Sequence, residues 1–245
     1  MASPYRHVIL TRFNVRCTGS GGLGLDPAWL ERRFALFERL CIHSVRRQSA
    51  VDFVWLVFFD EATPDEFKTR VSRYEGLGQL VPVFTTQTAV ADMAVEALRA
   101  KGYLDRDFLI TTRVDNDDAI APFFVWEVQR AFAEQQFTFV NFTHGLELGG
   151  AKVYRRPDPA NAFISHIETV TPHGPKTVFC CEHHDAPAAG PVLQLRTRPA
   201  WLQVSHGENL ANRPRGIRQP VGALRKDFPA VLATLDAHER PLAGA

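Results

Sequence analysis

Three carboxylates stand within four residues at Asp115-Asn116-Asp117-Asp118, directly after an apolar run at 108–112. Carboxylates this close repel one another unless a cation or solvent relieves them. Hard divalent cations such as Mg2+ and Mn2+ take oxygen ligands, and are often held by one or two carboxylates together with substrate phosphates. A metal placed there can neutralise the charge that develops on a departing diphosphate. The competing reading is a solvated Asx turn that caps the next helix. An EF-hand does not fit, because the sixth position of such a loop is Ile120 rather than Gly and the twelfth is Trp126 rather than Glu.

Other candidates lie at the ends of apolar runs. Arg12 and Asn14 close the run at 8–13, where they could contact a nucleotide or form an ordinary polar strand end. Asp60 ends the run at 53–59 and could hold a base or ribose, or serve as a polar stop before the turn at Thr63. The spacing Gly19-x-Gly21-x-x-Gly24 matches a dinucleotide fingerprint literally, but the turn lies several residues past the strand and Asp60 is too far along to be its acidic partner. A loop or lid is the better reading of those glycines. The polar patch Glu182-His183-His184-Asp185 could supply a general base or be a surface loop. His206 leaves the apolar stretch at 201–204 and could be a late metal ligand or a structural histidine. Arg213, Arg215 and Arg218 form a basic run that could meet a diphosphate or face solvent. Arg46 and Arg47 fall at a helix C-terminus, where positive charge is favourable in any case.

The elements that must position these residues follow from periodicity. Short apolar runs at 8–13, 53–59, 81–84 and 108–112 read as strands. The run at 53–59 is continuous, as in a strand buried on both faces of a parallel sheet. Between the strands, Asp26-Pro27 begins a helix through Gln48, with Asp as N-cap and Pro at the first helical position. Leu30, Phe34, Phe37, Leu40, Cys41 and Val45 form its apolar face. Thr63-Pro64-Asp65-Glu66 reads as a capping box for a second helix that stops near Gly76, and 89–100 as a third closed by Gly102. This alternation predicts a doubly wound α/β sheet with ligands at the C-terminal strand ends. Beyond it, a helix is expected at 123–135, strands at 137–142, 145–155 (interrupted by Gly149-Gly150), 176–181 and 201–206, and helices at 161–169 and 222–236.

The 245 residues suit one α/β domain, and burial of roughly 70–75 % of the unfolded surface needs no staple. A formal net charge of +1 gives no basic groove for nucleic acid, so the 18 Phe are read as core. The four cysteines form no CxxC pair, which points to a reducing compartment without zinc or disulfides. No h-region opens the chain and no stretch reaches about 18 apolar residues, so no transmembrane segment is expected. The expected location is the cytoplasm, either free or peripheral to the inner membrane.

The segments His7-Val-Ile-Leu-Thr-Arg-Phe-Asn14, Trp55-Leu-Val-Phe-Phe-Asp60 with Thr63-Pro64, 110–119 around Arg113-Val-Asp-Asn-Asp-Asp, and Trp201-Leu-Gln-Val-Ser-His-Gly207 with Asn209, Asn212-Arg213 and Arg215-Gly216 together resemble the rhamnosyltransferase family of bacteria. The resemblance runs roughly from His7 to Arg218. It implies a GT-A-like fold, a Rossmann-like mixed sheet flanked by helices, over a single domain of residues 1–245. Residues 1–118 would form the half that binds the nucleotide sugar, and 119–245 the half that binds the acceptor. It implies transfer of a sugar, rhamnose by the family's name, from a dTDP- or UDP-sugar donor to a glycan or lipid-linked acceptor. Asp115-Asn116-Asp117 then stands where GT-A enzymes keep their DxD metal motif. Asp115, Asp117 and His206 would ligate Mn2+ or Mg2+, while Arg12, Asn14, Asp60, Arg113, Asp115 and Asn116 would bind the donor. No motif carries over a catalytic base; Asp185 is the first choice, with Glu168 and Glu182 behind it. A β-linked donor and an α-linked product would make the reaction inverting. The rivals are a sugar-1-phosphate nucleotidyltransferase, whose basic phosphate loop is lacking between Thr18 and Ala28, and a nucleotide- or glycan-binding module without catalysis.

Overall fold

The computed structural model describes residues 3–16, 23–205 and 215–239. Four strands, β1 (Tyr5–Arg12), β2 (Val54–Asp60), β3 (Leu80–Thr85) and β4 (Phe108–Arg113), alternate with helices as the apolar runs dictate. Helix α1 (Pro27–Leu36) continues through a π-helical turn at Phe37–Cys41 into α2 (Ile42–Arg46). Asp26 caps it as expected, its carboxylate accepting from the Trp29 amide at 2.7 Å. Helices α3 (Asp65–Ser72) and α4 (Val90–Ala100) complete the alternation.

The capping box at Thr63 is not formed. Pro64 occupies the cap position of α3, and the Thr63 hydroxyl instead donates to the Asp60 carbonyl at 2.6 Å. A hydroxyl that has a nearby backbone carbonyl at a strand end need not wait for the helix.

After β4 the chain makes β5 (Ala119–Ile120), α5 (Phe124–Arg130), β6 (Phe137–Phe142), β7 (His144–Gly149), β8 (Lys152–Pro157) and β9 (Ile164–Thr169). A short helix α6 (Ala186–Ala189) and strands β10 (Val192–Leu195), β11 (Trp201–Ser205) and β12 (Ile217–Gln219) follow, and α7 (Pro229–Glu239) ends the described chain. The first sheet has seven strands in the order β10-β6-β9-β4-β1-β2-β3. Strands β4, β1, β2 and β3 are mutually parallel, and β9 runs antiparallel between β4 and β6. The second sheet has five strands in the order β12-β8-β7-β11-β5.

Several expectations past residue 140 are overturned. Residues 161–169 are not helical, because β9 fills the middle of the first sheet. Its buried polar side chains, Ser165, His166 and Glu168, hide the strand pattern. Residues 176–181 form turns rather than a strand; Glu168 takes the Lys176 and Thr177 amides, and Thr111 takes the Val178 amide. The strand expected at 145–155 with an interruption at Gly149-Gly150 is borne out as a hairpin, β7 to β8, turned at Gly150 with φ +59. The expected helix at 222–236 is a short 3-10 turn at Val221–Leu224 followed by α7.

Helices cover both faces of the first sheet. Phe34 and Phe37 from the α1 helix, with Phe67 of α3 and Phe124 of α5, pack with Phe13, Trp55 and Phe59 on one face. Met93 and Leu98 of α4 pack with Val8, Leu10, Leu56 and Phe58 on the other. The two sheets meet at Trp201, whose ring stacks on Phe163 at 5.2 Å. Gly145 permits that approach, since a Cβ there would lie 2.0 Å from the Trp201 ring. Among the described residues no helix is long and apolar enough to cross a membrane.

Across the middle of the first sheet, His7 Nε2 meets the Thr112 hydroxyl at 2.9 Å, and Thr112 meets the Ser165 hydroxyl at 2.7 Å. Burial pushes His7 from its usual 6.5 down to about 3. The unfolded chain therefore takes up a proton below pH 6.5 that the folded chain refuses until about pH 3. This group's contribution is intact above pH 6.5 and is lost as pH falls toward 3, by about 2 kcal/mol between pH 7 and pH 5. Urea unfolding at the two pH values should show that loss in the native sequence and a smaller one in His7→Gln. Equal losses in both proteins would contradict it.

Candidate functional site

The carboxylate motif bridges the two sheets. It leaves β4 beside the end of β1, where the Val114 amide donates to the Leu10 carbonyl at 3.2 Å and the Thr11 hydroxyl donates to the Val114 carbonyl at 2.7 Å. It then turns, with the Asp118 amide donating to the Asp115 carbonyl at 3.3 Å, into β5 of the second sheet. The motif thus sits at the C-terminal ends of two adjacent parallel strands, the position where an open α/β sheet offers a ligand crevice.

Each member has a different partner. Asp115 receives a two-point contact from Arg113, Nε to Oδ1 at 3.2 Å and Nη2 to Oδ2 at 2.8 Å. Arg12 approaches Asp115 at 3.7 Å and lies over the Phe179 ring at 5.5 Å. Burial alone would raise the Asp115 pKa, but the guanidiniums of Arg113 and Arg12 outweigh it and hold the group well below the usual carboxylate range. The Asn116 amide donates to the Phe13 carbonyl at 2.8 Å and to the Arg12 carbonyl at 3.1 Å, which pins the motif to β1. Asp117 accepts from Arg33 Nη1 at 2.6 Å. Asp118 is buried and accepts from the Val204 amide of β11 at 2.9 Å. Burial, then the charges of Asp117 and Asp115, push Asp118 well above the usual carboxylate range.

The patch at 182–185 reaches this site through two of its members. His183 Nδ1 is 3.5 Å from Arg113 Nη1, and the Glu182 carboxylate is 3.7 Å from the same nitrogen. Burial, with Arg113 and His184 nearby, lowers the His183 pKa and favours its neutral form. Asp185 contacts His184 at 3.6 Å and its side chain is 61 % exposed. Glu168 is placed elsewhere. It pairs with Leu109, near the N-terminal end of β4, and its two oxygens accept from the Lys176 and Thr177 amides at 2.8 Å each.

Asn14 and Asp60 lie at the site's edge with their polar atoms engaged within the chain. Asn14 donates to the Gly24 carbonyl at 2.9 Å and the Thr63 hydroxyl at 3.0 Å, and accepts from the Asp60 amide at 3.1 Å. The Asp60 carboxylate accepts from the Ala62 amide at 2.7 Å and from Arg16 Nη2 at 3.1 Å. Both are buried and shape the loop ends. His206, Arg213 and the glycines at 19 and 21 lie outside the described residues. Among the described residues, no third His, Cys, Asp or Glu joins Asp115 and Asp117 in a metal-holding group.

Two charged residues with partners inside the fold, one of them at the site, were missed in the sequence. Arg33 reads there as one more charge on an amphipathic helix, yet it pairs with Asp117. Glu147, between Leu146 and Leu148 on β7, reads as a solvated strand position but is fully buried. Its carboxylate accepts from the Arg215 amide at 3.1 Å and the Ser205 hydroxyl at 3.3 Å, and lies 3.4 Å from Arg156. A lone charge inside an apolar alternation was the only signal available.

The fold and family are matched elsewhere. A family model described as "Putative rhamnosyl transferase" matches residues 6–218. No curated protein matches the chain in sequence. Among solved structures, the Staphylococcus aureus TarS fragment 1-349 in complex with UDP superposes with a TM-score of 0.50 at 10 % identity, over 82 % of this chain and 60 % of that one. A second TarS structure gives a TM-score of 0.48 at 12 % identity, over 82 % of this chain and 36 % of the other. The chain thus spans about 60 % of the TarS fragment it resembles. That likeness is one of fold, a GT-A-like mixed sheet flanked by helices. The family match takes in both sheets and the whole carboxylate motif, and the chain belongs to the rhamnosyltransferase family of glycosyltransferases.

Proposed function

We propose that the protein transfers a sugar, rhamnose by its family, from a nucleoside-diphosphate donor to a hydroxyl of a glycan or lipid-linked acceptor, with Mn2+ or Mg2+ held at Asp115 and Asp117. The observation that carries this reading is the carboxylate motif at the C-terminal ends of β1 and β4, flanked by Arg12, Arg33 and Arg113. Its donor chemistry suits a hard cation. Burial, then the charges of Asp117 and Asp115, push Asp118 upward, so the carboxylates sense one another inside the motif. His206 would be the third protein ligand, two residues beyond the Val204 amide that Asp118 anchors. When bound, the metal would neutralise charge on the departing diphosphate. The UDP held by the TarS fragment supports a nucleoside diphosphate as the donor's leaving part, dTDP or UDP.

The chain's own groups supply the rest. Arg12 and Arg113 flank the place where a diphosphate would lie, and guanidinium forks match phosphate oxygens. Asn14, Asp60 and Asn116 hold the loops that carry them. A β-linked donor and an α-linked product require inversion, so a carboxylate takes the acceptor proton directly. Glu182 is the carboxylate of the 182–185 patch in contact with Arg113 and is the base in this reading. Asp185 sits on the same turn, and Glu168 is committed to backbone amides.

Asp117→Asn should abolish transfer with the fold retained, and EDTA should silence the native protein. Unchanged turnover in both tests would remove the metal from the mechanism. Steady-state kinetics should show kcat in Glu182→Gln lower by about 10²–10⁴-fold with donor affinity nearly unchanged, and a much smaller loss in Asp185→Asn. The reverse ranking would move the base to Asp185, and full activity in both would rule out a carboxylate base from this patch.

A further inference from the structure

The contact between Arg33 and Asp117 suggests how metal and donor are coupled, an idea that rests on the metal reading above. Arg33 projects from α1, whose Leu30 and Phe34 are completely buried and whose first turn is capped by Asp26. The guanidinium is therefore delivered by a fixed helix. Its Nη1 donates to Asp117 Oδ2 at 2.6 Å and to Asn116 Oδ1 at 3.2 Å, so one nitrogen spans two residues of the motif. The Trp29 ring supports the guanidinium at 5.0 Å. Both side chains of the pair are only 12 % exposed, and Arg33 Nε is buried with no hydrogen-bond partner.

A guanidinium and a metal ion compete for the same carboxylate oxygen. We propose that Arg33 is the resident counter-ion of the metal site: it holds Asp117 while the site lacks metal and donor, and passes to the donor's diphosphate when the metal takes Asp117. A metal arriving alone would strand a shielded guanidinium, and an unpaired charge in that setting is unfavourable. A diphosphate supplies the replacement partner, in the geometry a guanidinium fork accepts, including its unused Nε–H. Metal and nucleoside diphosphate therefore favour each other's binding, and linkage makes the effect reciprocal. Empty-handed metal binding is suppressed, and the motif is charged with metal when donor is present.

The test is calorimetric titration of the full chain with Mn2+ alone, with UDP or dTDP alone, and with Mn2+ in saturating nucleotide. Native protein, Arg33→Met and Arg33→Lys are compared, with melting curves to confirm that each is folded. In the native protein one nucleotide should tighten Mn2+ binding by about tenfold or more, the equivalent of about 1.4 kcal/mol. Arg33→Met should bind Mn2+ alone about tenfold more tightly than the native protein, bind the nucleotide more weakly, and lose most of the coupling. Arg33→Lys, which keeps the charge, should still bind Mn2+ alone weakly. If Arg33→Met binds Mn2+ alone as the native protein does while nucleotide still tightens it, the counter-ion role is wrong and the metal reading stands. If the native protein takes up no Mn2+ with or without nucleotide, the metal reading falls and the exchange falls with it.

Discussion

Three carboxylates in four residues cannot end a buried strand unless cations or hydrogen-bond donors surround them. In this protein each of the three meets that constraint with a different part of the fold. Asp115 draws on Arg113 of its own strand and Arg12 of β1, Asp117 on Arg33 of α1, and Asp118 on the Val204 amide of β11. The motif therefore fixes where β1, β4, α1 and the second sheet meet. Taking a partner away from a shielded carboxylate costs more than the net value of the pair itself.

The surrounding core makes this arrangement rigid. Phe13, Phe34, Phe37 and Phe59 pack ring against ring beneath the α1 helix, with centroid separations from 4.4 to 6.2 Å. Aromatic pairs of this kind add stability beyond the area they bury. They also hold the helix that delivers Arg33. On the far side, Gly145 admits Trp201 into the seam between the sheets, so the register of β11, and with it the Val204 amide, is set by packing. The heavy use of Phe thus helps to position charged groups, and the Phe179 ring itself lies under Arg12.

The first half of the fold was legible in the sequence because β1, β2 and β4 carry short apolar runs and the intervening helices carry clean periodicity. The motif was legible for the same reason: a carboxylate cluster after the fourth such strand has few other places to be. The second half was harder to read because the fold buries polar side chains there. Ser165, His166 and Glu168 lie inside β9, where hydroxyl and amide partners from neighbouring segments satisfy Ser165 and Glu168. Periodicity counts them as exposed and returns a helix. Turns at 176–181 were read as a strand because their apolar residues pack inward while Glu168 captures their amides. Arg33 and Glu147 were missed because a charge gives no sign in sequence of whether its partner is solvent or a group elsewhere in the fold. The choice of base, Asp185 ahead of Glu168 and Glu182, had no periodic signal behind it; of the three, Glu182 lies 3.7 Å from Arg113.

The central claim is that the carboxylate motif binds a nucleoside-diphosphate sugar together with a divalent metal. It is tested most directly by the melting temperature of the native protein against a panel of dTDP- and UDP-sugars, each with Mn2+ and with EDTA. A ligand that binds only the folded state raises apparent stability in proportion to RT ln(1 + [L]/Kd). The expected result is a rise with at least one nucleotide sugar in the presence of Mn2+ and little or none with EDTA. No rise with any member of the panel, or the same rise with EDTA as with Mn2+, would contradict it.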